Sequence, residues 1–217
     1  MAFLNYTEAK LLSVWLSPSP HNIVETIRKK FATNGGVDAT VNSTVYFLDA
    51  INDFPLKEFQ NTIPLDNKVV YDNIRISTCL DLQEMMQTVT KIMQQLTMNV
   101  LQKQNSNQES HKPVEILLLI NGLNVMFQNT QIKETAPIAL LRLRDILLKL
   151  RFTANNPQSD GSNLKAAVIF PEEEIIKFSS NQGGEINNNN KRAKRGISND
   201  GNTLAQYIAK FYADAVI

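Results

Sequence analysis

The sequence predicts an α/β fold in which a mostly parallel sheet is flanked by helices. Short apolar runs recur along the chain, and stretches with helical spacing of apolar residues stand between them. The clearest run is Ile116–Ile120, which ends abruptly at Asn121 and Gly122. Continuous runs of this length are typical of parallel strands buried on both faces. The alternating order favours right-handed crossovers around one sheet.

Two elements are predicted before residue 45. The run Leu11–Leu16 is compatible with a strand, and the turn-rich residues Ser17–Pro20 close it. A helix-spaced pattern then begins at Ile23 and breaks at Asn34–Gly36. The β-branched and aromatic run Thr44–Leu48 follows, and it predicts a second buried strand.

The middle of the chain predicts a further strand and a long helix. Either Val69–Tyr71 or Ile74–Ser77 suits a strand, and Asp81 with Glu84 resembles a helix start. The apolar positions of the helix share one face: Leu82, Met85, Met86, Val89, Ile92, Met93 and Leu96.

After Asn121 the sequence predicts a loop to Pro137 and then a helix. Leucines from Leu140 to Leu150 mark its inner face, and its cations are interpreted as a solvated face. Ala166–Phe170 predicts another strand, ended by Pro171. An amphipathic helix over Thr203–Ala213 closes the chain.

Composition limits the class of protein. A chain of 217 residues with 43% hydrophobic content suits a single domain over residues 1–217. The formal net charge of +1 excludes a global field that would attract DNA or an acidic membrane, so any basic function is local. Cys79 is the one cysteine, which excludes an internal disulfide. No apolar stretch approaches 18 residues and Met1–Lys10 lacks signal-peptide character, so we expect a soluble intracellular protein without a membrane partner.

The motifs of nucleotide hydrolases are missing. The chain contains neither GxxxxGK[ST] nor GxGxxG, and the prolines of Leu16–Ile23 remove backbone donors where a phosphate loop would lie. At the end of the central strand, where a carboxylate would hold Mg²⁺, Asn121 offers only a weak oxygen ligand. His21, His111 and Cys79 are too scattered for a zinc site, and Cys79 is interpreted as a small buried side chain. We therefore expect no enzyme activity, cofactor or metal.

A polar segment at about 171–202 is predicted to be a flexible loop. It contains four cations in five residues, which we call the basic run: Lys191, Arg192, Lys194 and Arg195. The cluster is compatible with nucleic-acid phosphate binding, with a nuclear localisation signal or with an ordinary solvated surface. No aromatic residue is interleaved to stack on bases, so backbone contacts rather than sequence-specific contacts are expected.

Phe54 is the other candidate site residue. It lies within Asn52–Leu56, at the end of the loop Asp49–Phe54 that follows the second predicted strand. Burial is the simpler interpretation, but an apolar residue on a loop is also a candidate anchor for a partner protein.

Taken together, these segments resemble the RecA-like recombinase paralogues of the yeast Shu complex, and specifically its smaller DNA-binding paralogue subunit. The resemblance depends on the joint order of segments that span most of the chain and on the basic cluster before the last helix. The segments are Asp49–Leu56, Ile74–Leu82, Asn121–Phe127, Leu140–Arg151 and Leu204–Asp214.

The resemblance implies a RecA-like core of the P-loop NTPase type that lacks functional nucleotide-binding motifs. It also implies a heterodimer with a second RecA-like paralogue, joined by further Shu-complex subunits in the nucleus. Such a complex binds single-stranded or forked DNA, contacts the recombinase and its associated paralogues, and promotes recombinase assembly in homologous recombination and error-free post-replication repair. Lys191, Arg192, Lys194 and Arg195 occupy the place of a recombinase DNA-binding loop, although Ala193 interrupts them. The alternative is a nuclear interaction scaffold whose basic run is only an import signal.

Overall fold

The structure, a computed structural model, describes residues 12–32, 42–105, 114–154, 163–171 and 203–217. These residues form six strands: β1 Leu12–Leu16, β2 Asn42–Asp49, β3 Ile74–Thr78, β4 Val114–Asn121, β5 Asn163–Phe170 and β6 Ala215–Val216. The described helices are α1 Pro20–Ala32, α2 Leu56–Thr62, α3 Lys68–Asn73, α4 Leu82–Asn105, α5 Leu123–Lys133, α6 Ala136–Ala154 and α7 Leu204–Phe211.

The strands form a single six-stranded sheet in the order β3-β2-β4-β5-β1-β6. All of the strand pairs are parallel, so the carboxyl ends of β1, β2, β4 and β5 meet at one edge. In the central pair, Asp49 of β2 lies opposite Asn121 of β4. The α/β class with a mostly parallel sheet is therefore confirmed.

The helices cover both faces of the sheet. Ile116, Leu118 and Ile120 of β4 contribute to one face, whereas Leu117 and Leu119 contribute to the other, because side chains alternate along a strand. Helices α4 to α7 pack on the first face and α1 to α3 on the second. Connections that run in opposite directions along the strand order place their helices on opposite faces, as right-handed crossovers require.

In the middle of the chain the structure decides between two alternatives and corrects one prediction. Of the two candidate strands, Ile74–Ser77 forms β3, whereas Val69–Tyr71 lies within α3. The side chain of Asn67 accepts a hydrogen bond from the backbone N–H of Val70 at 3.3 Å, which caps that helix. The predicted loop from Asn121 to Pro137 is wrong, because α5 occupies most of it.

The described helices include none that is both long enough and apolar enough to cross a membrane.

Candidate functional site

The four cations predicted to bind DNA, Lys191, Arg192, Lys194 and Arg195, lie outside the described residues. The structure does describe the two ends of their segment. It follows the carboxyl end of β5 at Phe170, and it precedes α7, whose first turn is fixed by Thr203 and Gln206 in a reciprocal capping box. The prediction that these cations contact phosphates stays a prediction.

The sheet has a topological switch point between β2 and β4. The chain leaves β2 towards β3 on one side of the strand order, and it leaves β4 towards β5 on the other side. Ligands of doubly wound sheets bind in the crevice beyond the carboxyl ends of such strands. In this chain the crevice begins at Asp49 and Asn121.

The carboxylate of Asp49 is buried and is held by donors from the chain itself. Its oxygens accept hydrogen bonds from the backbone N–H groups of Ile51 at 3.2 Å and Asp53 at 2.8 Å. The side-chain amide of Asn121 donates a third hydrogen bond at 3.2 Å. The residue at the metal-anchor position therefore acts as a donor to a neighbouring carboxylate.

Gly122 shows how closely the loop after β2 covers this edge. Its φ angle is +80°, and a Cβ atom added there would lie 3.0 Å from the Cβ of Ala50 and 3.0 Å from the Cγ2 of Ile51. In addition, the backbone N–H of Ala50 donates to the carbonyl of Asn121 at 3.0 Å. The loop thus occupies the space beside Asn121 in which a ligand would bind.

The turn after β1 offers few free backbone donors. Ser17 has a φ of 46°, and its N–H donates to the carbonyl of Phe170 at 2.9 Å. Pro18 and Pro20 carry no N–H, and the N–H groups of Asn22 and Ile23 both donate to Ser19. A phosphate group needs several convergent N–H donors, and this turn does not present them.

His21 and Cys79 each have an internal explanation. Nδ1 of His21 lies 2.9 Å from Oε1 of Glu58 on α2, which links α1 to α2. Cys79 is buried, and burial raises the pKa of its thiol, although the hydroxyl of Thr88 at 3.8 Å partly offsets this effect. A protonated, buried thiol fits the interpretation of Cys79 as a small packing residue.

Within the described parts of the chain, no group of three or more His, Cys, Asp or Glu side chains is arranged to hold a metal ion.

Phe54 is half-buried and belongs to an aromatic cluster on the α1–α3 face of the sheet. Its ring lies 5.0 Å from that of Phe47 and 5.5 Å from that of Phe59, and Phe59 in turn lies 5.5 Å from Tyr71. These edge-on and tilted contacts anchor the loop after β2. The neighbouring Ile51 is exposed, so the loop keeps an apolar surface. The role of Phe54 as a partner anchor stays a prediction.

The sequence analysis missed two features: one lies at the carboxyl edge of the sheet, and the other lies on the exposed surface of α6. The pairing of Asn121 with Asp49 joins residues 72 positions apart, so only the strand register reveals it. The other feature is an exposed apolar stripe on α6, for which the sequence did hold a signal: the positions of Ile138, Leu141, Leu148 and Phe152.

The fold and the site define a class: a doubly wound, parallel α/β protein whose switch-point crevice is occupied by its own loop. A family model described as the Shu complex component Csm2, DNA-binding, matches residues 12–213. The chain belongs to this family.

Curated relatives give the same result. The protein "Chromosome segregation in meiosis protein 2" of Saccharomyces cerevisiae is 33% identical over 217 residues, covering 98% of this chain and 99% of the relative. The protein of the same description from Candida glabrata is 29% identical over 211 residues, with 97% of each chain covered. That from Kluyveromyces lactis is 26% identical and covers 81% of this chain and 91% of the relative. The resemblance to a Shu-complex subunit is therefore confirmed.

Proposed function

We propose that this chain is a non-catalytic DNA-binding subunit of a Shu-type complex. The observation that carries the proposal is the occupied crevice between β2 and β4. Nucleotide hydrolysis needs phosphate donors and a metal anchor at that edge, whereas binding to a DNA backbone needs only surface cations. The family description, a DNA-binding Shu complex component, supports the second role.

The core is proposed to be RecA-like. The support is the parallel sheet with helices on both faces. In addition, the central strand β4 ends at Asn121, the position where nucleotide hydrolases of this fold class carry a metal-binding carboxylate. The strand order differs from the 3-2-1-4-5-6 and 2-1-3-4-5 orders of the common dinucleotide and flavodoxin folds, so those two assignments are not favoured.

Partners follow from the proposed membership of the complex. We propose a heterodimer with a second RecA-like paralogue, further Shu-complex subunits, and contacts with a recombinase and its associated paralogues in the nucleus. In this setting the complex promotes recombinase filament assembly on single-stranded DNA during homologous recombination and error-free post-replication repair. Phe54 is the proposed anchor for one of these partners, and the aromatic contacts that hold its loop support a fixed presentation.

The DNA contacts are proposed to come from Lys191, Arg192, Lys194 and Arg195. If each neutralises one phosphate, the slope of log affinity against log salt is about −3, and affinity falls on the order of 10²-fold between 50 and 200 mM salt. A nearly neutral chain with four contacts binds modestly, so the partner subunit is expected to supply further cations.

The test compares two fourfold variants of the co-purified complex by anisotropy with labelled single-stranded and forked DNA. One variant replaces the four basic-run cations by glutamine. The matched control replaces four exposed cations of the described region, namely Arg28, Lys57, Lys68 and Arg75. The first variant should lose most affinity, and the magnitude of its salt slope should fall by about 3 because four phosphate contacts are removed, whereas the control should change in neither respect.

Equal affinity of the basic-run variant and the wild type would sink the DNA assignment. The scaffold alternative is then tested by fusing that variant to an independent import signal, since full repair function would show that the run serves only import. Calorimetry with ATP and Mg²⁺ tests the non-catalytic part, and measurable binding heat would revive the hypothesis of a nucleotide hydrolase.

A further inference from the structure

Helix α6 is apolar on two opposite sides. Its inner side is buried in the core and consists of Ala139, Leu143, Ile146, Leu147 and Leu150. Its outer side nevertheless exposes large apolar residues: Ile138 at 45%, Leu141 at 62%, Leu148 at 45% and Phe152 at 77%. A surface helix normally carries polar residues on its outer face. An exposed apolar stripe of this kind is typical of a binding surface for another molecule.

The outer residues follow the spacing of a helix–helix seam. Ile138, Leu141, Leu148 and Phe152, together with Asp145 between them, are separated by three, four, three and four positions. This is the a and d pattern of a heptad repeat, which keeps one continuous stripe facing a partner helix. The stripe runs along a helix of 19 residues, which is about 28 Å long. We name Ile138, Leu141, Asp145, Leu148 and Phe152 the outer stripe.

Cations border the outer stripe on both sides. Arg142 and Lys149 lie on one side, and Arg144 and Arg151 lie on the other, at the positions that carry charged residues in coiled coils. Three of these cations already have a carboxylate partner: Arg142 with Glu134 at 2.7 Å, Lys149 with Asp145 at 3.0 Å, and Arg151 with Asp214 at 3.4 Å. Arg144 is exposed and forms no salt bridge with any residue that the structure describes.

A groove extends the stripe towards α4. It has a volume of about 580 Å³ and is lined by Thr90, Met93, Gln94, Thr97, Met98 and Lys149. Lys149 links the groove to the outer stripe, and Met98 and Leu101 of α4 are also exposed. Methionine side chains adapt readily to a partner surface, so the groove can receive side chains at the border of a docked helix.

We propose that the outer stripe docks an amphipathic helix of a different protein, with apolar residues at the facing positions and acidic residues on both flanks. The charges of α6 select this occupant. A second copy of α6 would set the flanking cations against identical cations, which is unfavourable. Nucleic acid would use the cations but would leave Leu141 and Phe152 unpaired with any apolar surface. A lipid bilayer would bury the carboxylate of Asp145 among apolar chains.

Asp145 gives the docked helix one register. A polar residue at a single core position of a helix pair fixes alignment at some cost in affinity. Asp145 is held by Lys149 at 3.0 Å, so the partner needs only one polar or basic residue opposite this pair. The inference goes beyond DNA binding and does not depend on it, because the outer stripe and the basic run are separate parts of the sequence.

The test uses two designed helical peptides of about 21 residues, with leucine at the a and d positions. One carries glutamate at the e and g positions and the other carries lysine. Binding of each labelled peptide to the full-length protein is measured by fluorescence anisotropy, and DNA affinity is measured in parallel on the same preparations. The glutamate peptide should bind more tightly than the lysine peptide.

Variants then locate the binding surface. The double variant Leu148→Asp/Phe152→Asp should weaken the glutamate peptide by more than about tenfold, since apolar anchors dominate such interfaces. The matched control Leu65→Asp/Val69→Asp changes two other exposed apolar residues and should leave the affinity unchanged. Arg144→Glu/Lys149→Glu should reverse the preference between the two peptides. DNA affinity should stay constant in every variant.

Four results would overturn the proposal. The first is no binding of the glutamate peptide, and the second is equal loss in both apolar double variants. The third is concentration-dependent self-association that Leu148→Asp/Phe152→Asp removes, which would assign the stripe to a second copy. The fourth is flotation of the wild type, but not of this variant, with phosphatidylserine vesicles, which would assign it to a membrane. None of these results would alter the DNA assignment, which depends on the basic run.

Discussion

A carboxylate lies at each end of strand β4, and the two are held in different ways: Glu115 of β4 is half-buried at the amino end, and Asp49 of the neighbouring β2 is buried at the carboxyl end. At the amino end, Glu115 pairs with the ammonium group of Lys30, whose side chain is fully buried, and Oε1 of Glu115 accepts from Asn163 at 3.3 Å. At the carboxyl end, two backbone N–H groups and the amide of Asn121 hold Asp49. The amino end thus uses an opposite charge, and the carboxyl end uses neutral dipoles.

The use of neutral donors around Asp49 explains why the loop after β2 can fill the crevice at the carboxyl end of β4. An acid at position 121 would stand about 3 Å from the Asp49 carboxylate, and two such charges repel unless a cation lies between them. A neutral donor at the same position removes that need and lets the loop after β2 settle against Gly122. A carboxylate that binds a metal at position 121 is therefore incompatible with a loop that fills the crevice. The neutral side chain of Asn121 is compatible with the filled crevice.

The largest expected effect concerns the amino end. Burial lowers the pKa of Lys30, and the hydrogen bond and charge of Glu115 only partly offset it. The variant Lys30→Met removes the buried ammonium group that pairs with Glu115, while the hydrogen bond from Asn163 and the charge of Lys165 stay in place. We expect the free energy of unfolding in urea to fall by about 3 kcal/mol. The double variant Lys30→Met/Glu115→Gln should recover much of this loss. A loss below about 1 kcal/mol in the single variant would show that the pair is not the principal support of this end.

The next prediction puts a second carboxylate at the carboxyl end. Asn121→Asp should lower the free energy of unfolding by about 2 kcal/mol at pH 7, because the two buried charges repel. Repulsion raises the pKa of the introduced carboxyl above its unfolded value, so the loss is present at high pH and shrinks as the pH falls through the raised pKa.

The control for this prediction is Asn121→Ala, which removes the hydrogen bond without adding charge. It should cost about 1 kcal/mol, with a weaker pH dependence than Asn121→Asp shows. At each pH, the unfolding curve of Asn121→Asp is compared with that of Asn121→Ala. If the two curves coincided at both pH 7 and pH 5, charge repulsion would not explain why residue 121 is neutral.

Gly122 tests how tightly the loop covers the edge. We expect Gly122→Ala to cost about 1.5 kcal/mol, since it adds a Cβ at a φ of +80° and places it against Ala50 and Ile51. In the double variant Gly122→Ala/Ala50→Gly, the contact with Ala50 is absent, and part of the loss should return in the same urea titration. Full additivity of the two changes would mean that the contact with Ala50 contributes nothing, and that backbone strain and the contact with Ile51 cause the loss.

The smallest effect concerns Asp81, which caps α4 near the same edge. Its Oδ1 accepts from the backbone N–H groups of Gln83 and Glu84 at 2.9 Å each, and its Oδ2 accepts from Lys133. Burial alone would raise the pKa of Asp81, but the hydrogen bonds from Lys133 and Glu84 outweigh burial and lower it. Asp81→Ala should cost about 1 kcal/mol at pH 7.

The pH dependence of this cap has a definite sign. Because the folded pKa of Asp81 is lowered, its contribution is present above the unfolded value and is lost as the pH falls through the folded value. Asp81→Asn keeps a capping oxygen but not the charge, so its stability relative to wild type should improve as the solution is acidified. A constant difference between the two proteins from pH 7 to pH 3 would contradict the assigned role of the charge.

The α/β class followed from local pattern because buried parallel strands and amphipathic helices carry distinct periods. The run Ile116–Ile120 lies within β4, and the leucines from Leu140 to Leu150 lie within α6. Helix α5 was missed because its apolar and polar residues are poorly segregated around the helix, although Leu123, Met126 and Phe127 are buried. Val69–Tyr71 was ambiguous because its β-branched residues favour strands. In the structure this segment is helical, and the side chain of Asn67 caps the helix.

For the site, the sequence predicted which chemistry is missing but not what replaces it. The absent phosphate loop, the prolines before α1 and the amide at Asn121 were all visible as residue types. That Asn121 donates to Asp49 depends on the register between two strands, which residue types do not encode locally. The cations of α6 were interpreted as a solvated face, whereas the structure shows that they border an exposed apolar stripe.

The sequence by itself determined the class of fold, the loss of nucleotide motifs and the basic run, because each depends on residue type and short-range spacing. Only the tertiary structure decided that the switch-point crevice is occupied and that α6 has a second apolar side. Both results depend on which surfaces the sheet and its neighbours cover, and burial is a property of the assembled chain rather than of any segment.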